Sequence, residues 1–161
     1  MKEKYRKTVF IVVYSKSESR IFYLVLKRKL HWVGWEFPKG GLEEKENPFE
    51  AVKRELKEET GSVSRKIKKF NVRGKYKYKN KMPDRHGIIG QSYSLYSAEI
   101  KKEKIIFDSN EHSDYKWVPY MKAMQMLKFT DQKRCLKKVN DWLRKKKEGK
   151  INYLEDNFTR H

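Results

Sequence analysis

With 161 residues, 37% apolar and 14% aromatic, the chain is long enough for one hydrophobic core and too apolar for general disorder. The formal net charge of +19 points to a polyanionic partner (nucleic acid, nucleotide or an anionic surface), although lysine inflation in an AT-rich genome would produce the same excess. No run approaches bilayer-spanning length, the polar start Met1–Lys7 has no signal-peptide pattern, and the single Cys135 excludes an internal disulfide or a paired-thiol site, so a reducing, cytoplasmic setting is expected.

Thr8–Tyr14 is β-branched, aromatic and short, which predicts a buried strand. The polar turn Ser15–Arg20 leads to a second strand, Ile21–Lys29, and the two make a candidate hairpin. Trp32, Trp35 and Phe37 run into Pro38-Lys39-Gly40-Gly41, a loop signal. The clearest helix opens at Asn47-Pro48, with Asn47 as N-cap and Pro48 at the first helical position, and Gly61 closes it.

Ile67–Tyr78 reads as an exposed basic strand, Asn80–Gly87 as a loop, and Ile88–Ile100 and Tyr115–Val118 as strands. Pro119–Leu127 and the strongly basic Asp131–Lys147 read as helices; the tail from Glu148 has no clear pattern. Strands, a central helix, more strands and terminal helices predict an α/β fold in which a mixed sheet lies between helices, with no internal repeat and no linker across residues 1–161.

The chemistry concentrates between Gly40 and Gly61. Glu55, Glu58 and Glu59 stand at i, i+3 and i+4, which gathers three carboxylates on one helical face while Val52 and Leu56 turn towards a core. Such crowding of like charge is relieved by a hard divalent cation with oxygen ligands. Taken alone, this spacing also describes an ordinary solvated, glutamate-rich helix.

The larger frame is more specific. Gly40, Glu46, Arg54, Glu55, Leu56, Glu58, Glu59 and Gly61 resemble the Nudix signature at each fixed position, over residues 40–62. Ser62 departs from it, because an aliphatic residue is usual there; Val63 is expected to take over that packing role. The resemblance implies an α/β/α sandwich and divalent-metal-dependent hydrolysis of a phosphoanhydride. Mg²⁺ or Mn²⁺ would be held by Glu55, Glu58 and Glu59, with the Gly40 carbonyl as a further ligand. It also implies an Arg54–Glu46 pair holding loop to helix, with Glu43 and Glu44 at the surface. A glutamate would take the proton from the attacking water.

Outside the signature, His31-Trp32, Trp35–Gly40 and Asn110–Trp117 resemble diadenosine tetraphosphate hydrolases, as does Met124–Leu136 more loosely. That similarity implies Glu111 as a further metal ligand or base and a dinucleoside polyphosphate substrate, for which His31, Lys39, Tyr76 and Tyr78 are the candidate binding residues. Lys39 would meet phosphate as a point charge; Tyr76 and Tyr78 would stack on bases, with Tyr93 and Tyr120 as further candidates and Arg85 and His86 in a bordering loop. The Phe37–Gly41 run also resembles bacterial RNA pyrophosphohydrolases, and the charge of Lys133–Lys147 favours a long polyanion such as an RNA 5′ end as partner, for a pyrophosphohydrolase or a decapping enzyme as the rival reading. A basic RNA-binding module with a silent motif is a third reading, opposed by the intact glutamates.

Overall fold

In this computed structural model the backbone is described for residues 3–159 and side chains for residues 3–149. Residues 1, 2, 160 and 161 of the expected 1–161 unit lie outside the described residues.

The chain runs β1 (Lys4–Ser17), β2 (Arg20–Arg28), β3 (Gly34–Glu36), β4 (Lys39–Gly41), α1 (Pro48–Thr60), β5 (Lys66–Lys77), β6 (Ile88–Glu99), β7 (His112–Val118), α2 (Tyr120–Met126) and α3 (Thr130–Thr159). The sheet is ordered β3-β2-β1-β6-β5, with β4 paired to β1 and β7 to β2. It is mixed: β1 is antiparallel to β2 and β4 but parallel to β6. Helix α1 covers one face and α2 and α3 the other, which is the expected α/β/α sandwich.

β1 is the centre. Residues 8–15 are buried on both faces, which explains their unbroken apolar character. Val9, Ile11 and Val13 face Val52 and Leu56 of α1, while Phe10, Val12 and Tyr14 face Leu136, Val139 and Leu143 of α3. Helix α1 is capped as its sequence predicts. Asn47 Oδ1 accepts from the Glu50 amide at 2.9 Å, the Glu50 carboxylate accepts from the Asn47 amide, and Gly61 takes φ 76°.

Several boundaries differ from expectation. Residues 39–41 form a short strand rather than loop, because β4 pairs with β1 at Thr8–Phe10, and residues 34–36 form another against β2. β7 begins at His112, before the aromatic run that signals it. α3 continues past Lys147 to Thr159, through Gly149. Val63 does not take over the Ser62 packing role: it is 75% exposed, and Ile106 lies against Gly61 instead.

Candidate active site

The last two turns of α1 carry the acids, but not as one solvated stripe. Glu55 and Glu59 are buried, at 7% and 3% exposure, and the Glu58 side chain is 53% exposed. The Glu55 carboxylate reaches the backbone of β4, where a side chain on Gly40 would overlap it.

Arg54 binds the motif together. Its Nε and Nη2 donate to the two Glu46 oxygens at 2.8 and 2.9 Å, and Nη2 also donates to the Gly41 carbonyl at 2.8 Å. Its Nη1 donates to Glu55 at 2.7 Å and Glu58 at 3.3 Å. One planar guanidinium thus fixes the 41–46 loop, the helix and two of the acids. Glu43 and Glu44 are exposed, with Glu43 3.5 Å from the same guanidinium.

A second group lies beside the first. Ligand atoms of Glu59, Glu111 and His112 fall within 4.8 Å of one another. Glu111 sits in the turn before β7, where its carbonyl accepts from the Lys29 amide at 2.9 Å. His112 is buried between two acids, with Nδ1 2.9 Å from Glu59 and Nε2 3.4 Å from Glu36. Burial alone would lower the His112 pKa, but the Glu36 and Glu59 carboxylates raise it to about 9. Both ring nitrogens face carboxylates, so His112 steadies Glu59 and Glu36.

Glu36 is the anionic centre beneath. It is fully buried, pairs with Arg28 at 3.0 Å and lies 3.5 Å from Lys39. Burial opposes its charge, yet Lys39, His112 and Arg28 together lower its pKa to about 2. Sequence reading missed Glu36 and His112; the available signal was an acid set between Trp35 and Phe37 in an apolar run.

The donor set fits a divalent metal. Burial raises Glu55 and Glu59 to about 7 despite Arg54 and His112 respectively, and neighbouring acids add to both shifts. Glu59 Oε2 is buried with no well-aligned hydrogen bond. Crowded, desolvated carboxylate oxygens whose charge is opposed by burial are what a hard cation stabilises.

The remaining expected residues have partners of their own. Lys39 Nζ lies 5.7 Å from the Phe10 ring centroid as well as near Glu36. His31 places Nδ1 3.3 Å from Arg28 and Nε2 3.2 Å from Asp84, so both ring nitrogens are engaged and it anchors the 80–87 loop. Tyr76 donates to Gln91 at 2.8 Å, and its ring meets Tyr78 edge to face at 6.3 Å. Tyr78 accepts from Arg85 at 2.7 Å, with the guanidinium over its ring; His86 is exposed.

Tyr93 is not a stacking candidate: it is 2% exposed, stacked on Phe10 at 4.1 Å, and belongs to the core. Tyr120 packs at the edge of the same core. Arg6, absent from the expected set, runs alongside Gly41 in the space a side chain there would fill. Burial first, and Arg85 next, lower its pKa, while Tyr78, Glu55 and Glu111 are close enough to oppose this. Arg6 therefore lies within electrostatic reach of Tyr78 and of the acids Glu55 and Glu111.

The NUDIX domain family model matches residues 4–142. An RNA pyrophosphohydrolase of a Nitratiruptor species is 32% identical over 154 residues, covering 92% of this chain and 97% of its own. One from Francisella tularensis subsp. mediasiatica is 30% identical over 131 residues, covering 74% and 81%. Among solved structures, a Listeria monocytogenes protein described as a NUDIX hydrolase superimposes with TM-score 0.72 at 25% identity, covering 86% of this chain and 94% of that one. A C. elegans Ap4A hydrolase complex shares the fold, with TM-score 0.65 at 22% identity over 86% and 97% of the two chains. With the motif, the sandwich and the buried acids in agreement, the chain belongs to the NUDIX family and is a Nudix hydrolase.

Proposed function

We propose that the chain acts on RNA 5′ ends, hydrolysing a phosphoanhydride of the 5′-triphosphate to leave a monophosphorylated RNA. The observation that carries this reading is the 32% identity, across nearly the whole of both chains, to a relative named RNA pyrophosphohydrolase. It reverses the order of the two expectations drawn from sequence, in which a dinucleoside polyphosphate came first.

Glu55, Glu58, Glu59 and Glu111, with the Gly40 carbonyl, would hold Mg²⁺ or Mn²⁺. When bound, such an ion neutralises phosphate charge and acidifies water. Arg6, Lys39 and Arg85 supply fixed positive charge for the polyphosphate, and Tyr76 and Tyr78 supply ring faces for a base. Arg54 and His112 orient the acids, and Glu55, Glu58 or Glu111 accepts the proton of the attacking water.

The resemblance of Trp35–Gly40 and Asn110–Trp117 to diadenosine tetraphosphate hydrolases favours a second reading, cleavage of that dinucleotide to ATP and AMP. The two separate in a panel assay with Mg²⁺ and Mn²⁺. 5′-Triphosphate RNA is expected to be turned over with kcat/KM at least ~10-fold above that for diadenosine tetraphosphate, a margin of about 1.4 kcal/mol. The reverse ranking would reinstate the dinucleotide.

A further inference from the structure

A 5′-end enzyme must place the rest of its RNA somewhere, and the catalytic acids cannot take it, because they repel phosphate. The described surface has a basic groove of about 380 Å³ between β5 and α3, lined by Asn71, Val72 and Arg73 on one side and Arg134, Lys137, Lys138 and Asp141 on the other. The helix residues stand at i, i+3, i+4 and i+7, so they form one stripe. Arg144 and Lys145 lie near enough to Asp141 to favour its charged form, which carries the basic stripe onwards.

Two features distinguish this groove from a merely solvated face. It begins beside the Tyr76 and Tyr78 rings: Arg134 donates to the Tyr93 hydroxyl at 2.6 Å, and Tyr93 stands opposite Gly74, two residues (about 7 Å) along β5 from Tyr76. Its cations are also partly uncommitted. Lys137 pairs with Asp141 at 2.7 Å and Arg134 approaches Asp131 at 3.5 Å, but among the described residues Arg73 and Lys138 have no carboxylate partner.

A second basic hollow, lined in part by Ser15, Lys57, Arg65 and Lys101, is larger at about 700 Å³. It sits at the Ser15 end of β1, whereas the motif loop joins β1 at Thr8–Phe10, and it opens beside the end of α1 rather than the tyrosines.

We propose that the β5–α3 groove holds the phosphodiester backbone of the RNA body as it leaves the 5′-end site. This rests on the RNA reading of the function. Recognition there is by charge, since single-stranded backbone is met by a basic track beside a stacking platform, without demand on sequence. Chain length, rather than base identity, sets how strongly the groove contributes.

The test compares R73E/K138E with a matched charge reversal in the other hollow, R65E/K101E. All four residues are exposed. Affinity for a 5′-hydroxyl RNA of about 20 nucleotides is read by fluorescence anisotropy, which needs no turnover. Expected for R73E/K138E is a loss of roughly five- to tenfold, with a salt dependence shallower by about 1.4 in log–log slope, two phosphate contacts at ~0.7 each. KM for a long 5′-triphosphate RNA should rise in step, and that for a triphosphorylated dinucleotide should stay level. Unchanged binding in R73E/K138E, or an equal loss in R65E/K101E, would overturn the groove assignment. Wild-type protein that leaves every 5′-triphosphate RNA intact while binding the 5′-hydroxyl RNA through Arg73 and Lys138 would instead sink the functional reading and leave the groove standing.

Discussion

The Glu55 carboxylate fills the space that a side chain on Gly40 would need. The glycine at the head of the motif is thus explained by an acid fifteen residues later: the bare backbone lets a buried carboxylate come against β4. Gly40→Ala should force Glu55 aside, lowering kcat/KM by at least about 100-fold, with an overpacking cost of ~1–3 kcal/mol. Steady-state kinetics and thermal melting check this together. A variant with wild-type kinetics would show that the close approach has no part in activity.

Glu58 offers a cleaner separation of chemistry from folding. Its side chain is 53% exposed, and its interaction with Arg54 is a long 3.3 Å contact. Glu58→Gln should leave stability within about 0.5 kcal/mol and reduce hydrolysis by roughly 100-fold or more. Magnesium titration followed by calorimetry should show weakened binding. Full turnover in this variant would remove Glu58 from the metal set.

Glu36 governs acid stability. Its folded pKa, about 2 against an ordinary 4.5, is depressed, so its stabilising contribution is complete above pH 4.5 and fades as pH falls towards 2. Glu36→Gln leaves Arg28, Lys39 and His112 without their shared anion. It should cost about 3–5 kcal/mol at pH 7 and flatten the dependence of stability on pH between 4.5 and 2. Denaturant melts across that range measure both. A variant as stable as wild type at pH 7 would contradict this ion-pair account.

Cys135 should be silent to thiol chemistry. It is 1% exposed, and burial raises its pKa to about 12, with Arg134 opposing the shift weakly. Its folded value is raised, so its contribution is complete below pH 9 and is lost as pH climbs towards 12. Native protein at pH 8 should resist a maleimide, and protein in strong denaturant should take up one equivalent, by mass spectrometry. Rapid native labelling would mean that α3 opens locally.

Much of this molecule is written in short-range pattern. Asn47, Pro48 and Gly61 mark the ends of α1 by their own backbone preferences, and the short β-branched, aromatic run after Lys7 reads as a buried strand. The spacing of Glu55, Glu58 and Glu59 follows from helical periodicity, so their shared face was legible before any fold was known. The sandwich and the hydrolase family are likewise legible, because the motif spans a single loop and helix.

Tertiary packing decided the rest, since burial and partnership depend on residues distant in the chain. It buried Glu55 and Glu59 but left Glu58 in solvent, sent Tyr93 into the core, and brought Arg6 beside Gly41. It also set His112 against Glu36 across 76 positions of sequence. No local period encodes such a contact. It exists because β7 pairs with β2, β2 pairs with β3, and that arrangement encloses two acids and an imidazole where water cannot screen their charges.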